Sequence, residues 1–140
     1  MSYDLSRFTT AHERDYFTAL SEIQNGRKVS HWMWYIFPQL KGLGKSSTSE
    51  YYGIQDMGEA VAFLADPYLG SHLRNITQAL LNLDQNNATA IFGRPDDMKL
   101  KSCMTLFACA GKDETVFQDV LNRFFNGARD RRTEQMLNLK

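Results

Sequence analysis

The sequence predicts an all-α, or nearly all-α, fold in a single compact multi-helix domain, and three observations carry that reading. Apolar residues recur at helical spacing in one segment after another. Helix-stop and helix-start signals separate those segments: Asn25-Gly26, Asp66-Pro67, Gly93 and Gly111. No two alternating apolar runs joined by a tight turn signal a hairpin. A chain of 140 residues with an apolar fraction of 43% is long enough to bury a full core without disulfides or metals. No repeat, low-complexity tract or linker divides it, so residues 1–140 read as one domain.

Taken in order, Phe8, His12, Tyr16, Ala19, Leu20 and Ile23 imply one or two helices ending near Asn25-Gly26. Ser30 caps a short turn that carries the aromatics up to Phe37, where Pro38 disfavours further helix. A short strand is the alternative there, because Trp, Tyr, Ile and Phe also suit strands. Thr48 or Ser49 caps a helix through Tyr51 and Tyr52, and Ala60, Phe63 and Leu64 continue the pattern. Asp66 as cap and Pro67 as first helical residue open a helix whose stripe is Leu69, Leu73, Ile76 and Leu80. Asn87 caps a short turn stopped by Gly93. Asp96 and Asp97 open the next helix, stopped by Gly111; negative residues suit a helix N-terminus. Asp113 begins a helix with Val116, Phe117, Val120, Leu121 and Phe124 inward, and Asp130 a last short one closing at Leu137. The sum is six to eight helices.

The formal net charge is zero, so the basic surplus that drives duplex DNA binding is absent and no DNA partner is expected. No stretch approaches the run of about 18 apolar residues that a membrane span needs. The opening MSYDLSRF has no apolar run behind a basic start, and a chain without a signal peptide is the expectation. Cys103 and Cys109 form no CxxC, and six residues apart on one helix they sit on opposite sides; reduced thiols in a cytoplasmic protein follow. His12, His31 and His72 share no short-range ligand spacing, so neither a metal nor another cofactor is expected.

The stretch SHWMWYIFPQLKGLGKSSTSEYYG, Ser30 to Gly53, is the candidate site. Large rings often fill cores, but two Trp with His31 and Tyr35 bring four polar handles into a few positions, and each needs a partner if buried. Trp32, Trp34 and Phe37 supply aromatic walls for a planar base or nicotinamide ring, with His31 and Gln39 fixing its orientation. GLGKSS ends like a phosphate-binding P-loop, but Gln39 stands where the first Gly belongs and no parallel sheet surrounds it. Gly44 and Lys45 then form a flexible turn able to meet an anion. Ser47, Thr48, Ser49 and Tyr52 belong either to a capped helix start or to a helix N-terminus that holds phosphate or ribose. Glu50, the one carboxylate near the block in sequence, is the candidate catalytic group: a general base, or a stabiliser of a developing sugar cation, with His31 assisting. In DDMKLKS, Asp97 and Lys101 make an i, i+4 ion pair, while Lys99 and Ser102 are free to face a pocket.

SHWMWYIFPQLKGLGKSS, FGRPDDMKLKSCMTLF and VFQDVLNRFFNG together resemble the bacterial domain-of-unknown-function family 1810, some of whose members are labelled calpastatin. The resemblance runs from about Leu5 to Leu137 and implies a mostly helical single domain without a known activity. STSEYYGIQ, Ser47 to Gln55, is more distantly similar to the TSEHYFQAQK signature of the NADAR or YbiA-like proteins. That likeness implies ADP-ribose metabolism, including hydrolysis of N-glycosidic bonds. Thr48, Ser49, Glu50 and Tyr52 match it, Tyr51 replaces its His and Met57 its Lys, so a covalent role of that Lys is not carried over. The expectation is a pocket for ADP-ribose or a related phosphorylated N-riboside. The alternative is a non-catalytic interaction module whose aromatics are core or partner surface. RNA stacking is a third reading that the charge balance does not help.

Overall fold

The computed structural model describes residues 3–138, and every regular element among them is an α-helix. They are α1 (Ser6–Gln24), α2 (Met33–Ile36), α3 (Ser47–Tyr51), α4 (Met57–Ala65), α5 (Pro67–Leu81), α6 (Ala88–Phe92), α7 (Asp96–Ala110), α8 (Val116–Phe125) and α9 (Arg131–Asn138). The number exceeds the expected six to eight because the pattern read as continuing from Thr48 to Leu64 is two helices, α3 and α4, the second started by its own cap, Asp56, which accepts from Glu59 N. The aromatic block is helical at α2, not a strand.

Helix α7 is the axis of the molecule and packs against α8, α4, α6 and α9. Leu100, Cys103, Met104, Leu106 and Phe107 are buried around most of its circumference, so it lacks the one-sided stripe of a surface helix. Phe8, Phe63, Phe107 and Phe117 run through the core with centroids 5.1, 5.4 and 5.9 Å apart. Each fully buried ring contributes about 1.5–3 kcal/mol of transfer free energy. Burial pushes the Cys103 thiol well above its ordinary value, and the residue behaves as a small apolar filler.

The caps explain where the helices begin. Asp66 Oδ1 accepts from the N–H groups of Tyr68 and Leu69, with Pro67 next, as expected. Asn87 Oδ1 accepts from Ala90. At α3 the cap is Ser46, whose Oγ accepts from Ser49 N at 3.1 Å, and not Thr48 or Ser49. Four consecutive hydroxyl residues offer the same chemistry there, and only Ser46 has the extended backbone a cap needs. Helix α8 starts at Val116, two residues after Glu114, which is drawn off to Arg74 at 2.6 and 2.9 Å. The expected start at Asp113 is therefore too early.

The long connection between α2 and α4 is held down by three devices. Leu40 and Ile54 form an isolated parallel bridge, with Lys41 N donating to Ile54 O and Ile54 N to Gln39 O. A Cβ on Gly53 would lie 2.6 Å from Lys41 Cα, so only glycine lets the two segments approach this closely. Arg7 of α1 pairs with Glu59 at 3.0 Å and donates to the carbonyls of Tyr51 and Gly53. Gln39 is thus fixed beside α3, at the edge of the α7 N-terminus.

Candidate functional site

The two tryptophans of HWMWY go to different places. Trp32 is buried, and its Nε1 donates to Glu22 Oε1 at 2.9 Å. Glu22 also accepts from Val29 N, Ser30 N and Ser30 Oγ. Burial alone would raise that carboxyl, but the hydrogen bonds from Ser30, Val29 and Trp32 outweigh it and hold Glu22 at about 2. Trp34 is only half-buried and forms a wall of a cleft.

That cleft has an inner and an outer part. The inner chamber lies among Trp34, Phe37, Gln39, Ser49, Tyr52 and Lys99 and has about 10 Å³ of room, the space of a single water. The outer part, about 350 Å³, shares Gln39 and Lys99 and adds Gly44, Ser102, Asp130 and Arg132, with Leu43, Pro95 and Met98 as apolar lining. A Cβ on Gly44 would meet Ser49 Oγ at 2.5 Å, so glycine is what lets the loop fold back onto α3. Ser102 Oγ bonds back to Met98 O at 3.2 Å, and Asp130 Oδ2 accepts from Thr133 N and Oγ1 to start α9.

An alternation of charge and aromatic ring underlies the cleft. Lys99 Nζ stands 5.3 Å from the centroid of Trp34 and 3.5 Å from Asp96 Oδ1. The other oxygen of Asp96 lies 2.9 Å from Lys28 Nζ, which stands 5.1 Å from the centroid of Trp32. The expected Asp97–Lys101 pair is not how these groups are used. Asp97 is buried and accepts from Thr89 Oγ1 and Met98 N, while Lys101 lies over Phe125. The ion pairs belong to Asp96 because Asp97 turns inward at the helix start.

Eight of the residues selected from sequence therefore line one continuous cleft: Trp34, Phe37, Gln39, Gly44, Ser49, Tyr52, Lys99 and Ser102. The others lie elsewhere. Trp32 belongs to the core. His31 is exposed, and its carbonyl accepts from Tyr35 Oη. Lys45, Ser47 and Thr48 are exposed and outside the cleft lining. Glu50 lines a different hollow, beside Arg7, Lys41 and Glu59. A larger hollow of about 520 Å³ opens between Met57, Cys109, Lys112, Arg129 and Leu137. Its Arg129 is already bonded to Gln118, and it collects none of the residues selected from sequence.

Sequence reasoning missed Arg132 and Asp130, which reach the cleft from the far end of the chain without a local motif. It also missed a histidine pair, the buried His12 and the half-buried His72, whose Nδ1 atoms are 3.0 Å apart. His12 Nε2 lies 2.8 Å from Tyr35 O, which can only accept, so Nε2 carries the proton and the His12 Nδ1 lone pair faces a proton on His72 Nδ1. Burial, with the His72 ring beside it, lowers His12 to about 4. No group of three or more His, Cys, Asp or Glu among the described residues is placed to hold a metal ion. No described helix is long and apolar enough to cross a membrane.

The fold and this cleft define a class: an all-α domain whose short α2–α3 region is folded against the start of a central helix. Within that class the chain belongs to the family described as Protein of unknown function (DUF1810), whose model matches residues 2–137. It is similar to a conserved hypothetical protein, Rv1873 from Mycobacterium tuberculosis, known from a crystal structure. The two share 40% identity over 99% of each chain, with a TM-score of 0.96. No curated protein matches the chain.

Proposed function

We propose that the chain binds a phosphorylated N-riboside of the ADP-ribose class in the outer cleft between the 39–44 loop, α7 and α9. One observation carries this reading. Gln39, Lys99, Ser102 and Arg132 come from three separate segments and meet in one cleft, with the half-buried Trp34 lining the small chamber behind Gln39 and Lys99. Concave sites with apolar lining and a few convergent polar groups are where small molecules bind. Lys99 and Arg132 supply charge for phosphate, Gln39 and Ser102 donors and acceptors for ribose or base, and Met98, Leu43 and Pro95 an apolar surface for a ring. The inner chamber has room for a water and not a base, which supports the reading that the ring lies in the outer cleft.

Hydrolysis of the N-glycosidic bond is the turnover this ligand class admits. The C1′–N bond would break and water would add at C1′, its proton passing to the departing base. Gln39, Ser49 and Lys99 surround the one-water chamber from which such a nucleophile could come. Glu50 and His31, on other faces, are not part of this step.

A thermal-shift series with NAD, ADP-ribose, AMP, ribose phosphates and free nucleobases tests the reading. A ligand at 100 times its dissociation constant stabilises the folded chain by about 2.7 kcal/mol, a shift of several degrees for a domain of this size. ADP-ribose is expected to produce the shift and free nucleobases none. The absence of any shift across the series would turn attention to the interaction-module reading, for which the buried Trp32 speaks.

A further inference from the structure

Lys28 does not line the cleft, yet its position bears on what the cleft can bind. Its side chain is 6% exposed, and among the described residues Asp96 is the one carboxylate paired with it. A buried ammonium needs such a partner, and at 2.9 Å Lys28 has the stronger claim on Asp96. Lys99 stands farther away, at 3.5 Å, with a more exposed side chain. Two ammonium groups share one carboxylate, which leaves one positive charge; the formal charges of Arg132 and Asp130, which also line the cleft, cancel, and the cleft is the open side of that triad. The other neighbour of Lys99 is the Trp34 ring, whose face attracts a cation without neutralising it.

We infer that Lys28 is a positioning residue for the cleft: by engaging Asp96 from the buried side it leaves the Lys99 charge uncompensated at the cleft floor, which selects an anionic group, such as a phosphate, at that point. The inference deepens the proposed binding of a phosphorylated ligand and rests on it for the ligand's identity. The charge balance itself does not depend on that identity. Without Lys28, Asp96 turns wholly to Lys99, and the floor becomes a neutral ion pair. Without both Lys28 and Asp96, Lys99 recovers its full charge.

The test compares quenching of tryptophan fluorescence by iodide and by neutral acrylamide, at low and constant ionic strength. Trp32 is buried, so the accessible signal comes from Trp34, beside Lys99. A unit charge about 6 Å away in water enriches an anion by about threefold, an effect that salt screens. The iodide-to-acrylamide ratio is expected to fall by about two- to threefold in Lys28→Met and to return to the wild-type value in Lys28→Met/Asp96→Asn. Lys28→Gln, which retains a hydrogen bond to Asp96, gives the same fall and serves if the methionine variant does not fold. An unchanged ratio in both single variants overturns the inference. So does a fall that the double variant does not restore, because Lys28 would then act through structure alone. Titration with ADP-ribose is the second arm, with affinity expected to fall at least about fivefold in Lys28→Met and to recover in the double variant. If iodide behaves as expected and ADP-ribose does not bind the wild type, the charge assignment stands and the ligand reading fails. If ADP-ribose binds wild type and Lys28→Met alike, the ligand reading stands and the assignment fails.

Discussion

Trp32 and Trp34 sit two residues apart, and each has a lysine over its ring, at 5.1 and 5.3 Å. The surroundings differ in what closes the other side. Around Trp32 every polar group is consumed: the indole N–H and Ser30 by Glu22, and Lys28 by Asp96. Around Trp34, Ser49 Oγ accepts from Ser46 Oγ and Lys99 is paired with Asp96, yet both, with Gln39, also border a space that the chain does not fill. One aromatic block thus serves as core at one end and as cleft wall at the other. Residue type does not decide which is which; what differs is whether the neighbouring polar groups are enclosed or border open space.

Removing each tryptophan separates the two roles most sharply. Trp32→Ala leaves a large cavity and orphans Glu22, and is expected to cost about 3–5 kcal/mol in urea unfolding. Trp34→Ala removes a half-buried ring and is expected to cost markedly less while weakening ADP-ribose binding. Equal losses of stability in the two variants would break the distinction.

The next effect in size concerns the wall behind the block, where His12 bonds to the Tyr35 carbonyl. Folded His12 stays neutral down to about 4, whereas its ordinary value is 6.5. Between those values the unfolded chain binds more protons, so stability is full above pH 6.5 and falls as pH drops toward 4, by up to about 3 kcal/mol. Denaturant unfolding across that range is expected to show the slope, and His12→Gln to flatten it.

Two glycines give smaller readings, one outside the outer cleft lining and one within it. Gly53→Ala sets a Cβ against Lys41 backbone and is expected to destabilise by about 1–3 kcal/mol, measured by thermal unfolding. Gly44→Ala sets a Cβ 2.5 Å from Ser49 Oγ and 2.6 Å from Ser49 Cβ; the hydroxyl can rotate away but the Cβ cannot, so the loop must draw back from α3. Its stability cost is expected to be about 1–3 kcal/mol, with a loss of ligand affinity beside it because the loop carries one wall of the cleft. Lys45→Ala, an exposed change outside the cleft, is expected to leave stability within about 0.5 kcal/mol and affinity unchanged.

How much of this was legible depended on the range of the signal. Asp66-Pro67 and Asn87 mark helix starts by chemistry acting over three residues, and both are used as expected. The α3 cap was not legible to the residue, because Ser46 to Ser49 are chemically alike and only the backbone angle distinguishes them. Lys99 and Ser102 were reached by way of an Asp97–Lys101 pair that the fold does not form, and Lys99 is itself paired with Asp96, so their place in the cleft does not follow from the local pattern. Nor does that of Arg132, which depends on how α9 returns across α7. The His12–His72 contact joins residues 60 positions apart through the packing of α1 on α5, which no spacing rule anticipates. The division between Trp32 and Trp34 depends on Glu22, a residue whose own helix looks exposed and polar at that point.

The most direct measurement is a fluorescence titration of the wild type and Lys99→Met with ADP-ribose. The account predicts a saturable change in Trp34 emission for the wild type and an affinity at least about tenfold weaker for the variant, a difference of about 1.4 kcal/mol or more. No saturable change in the wild type, or the same affinity in both proteins, would contradict it.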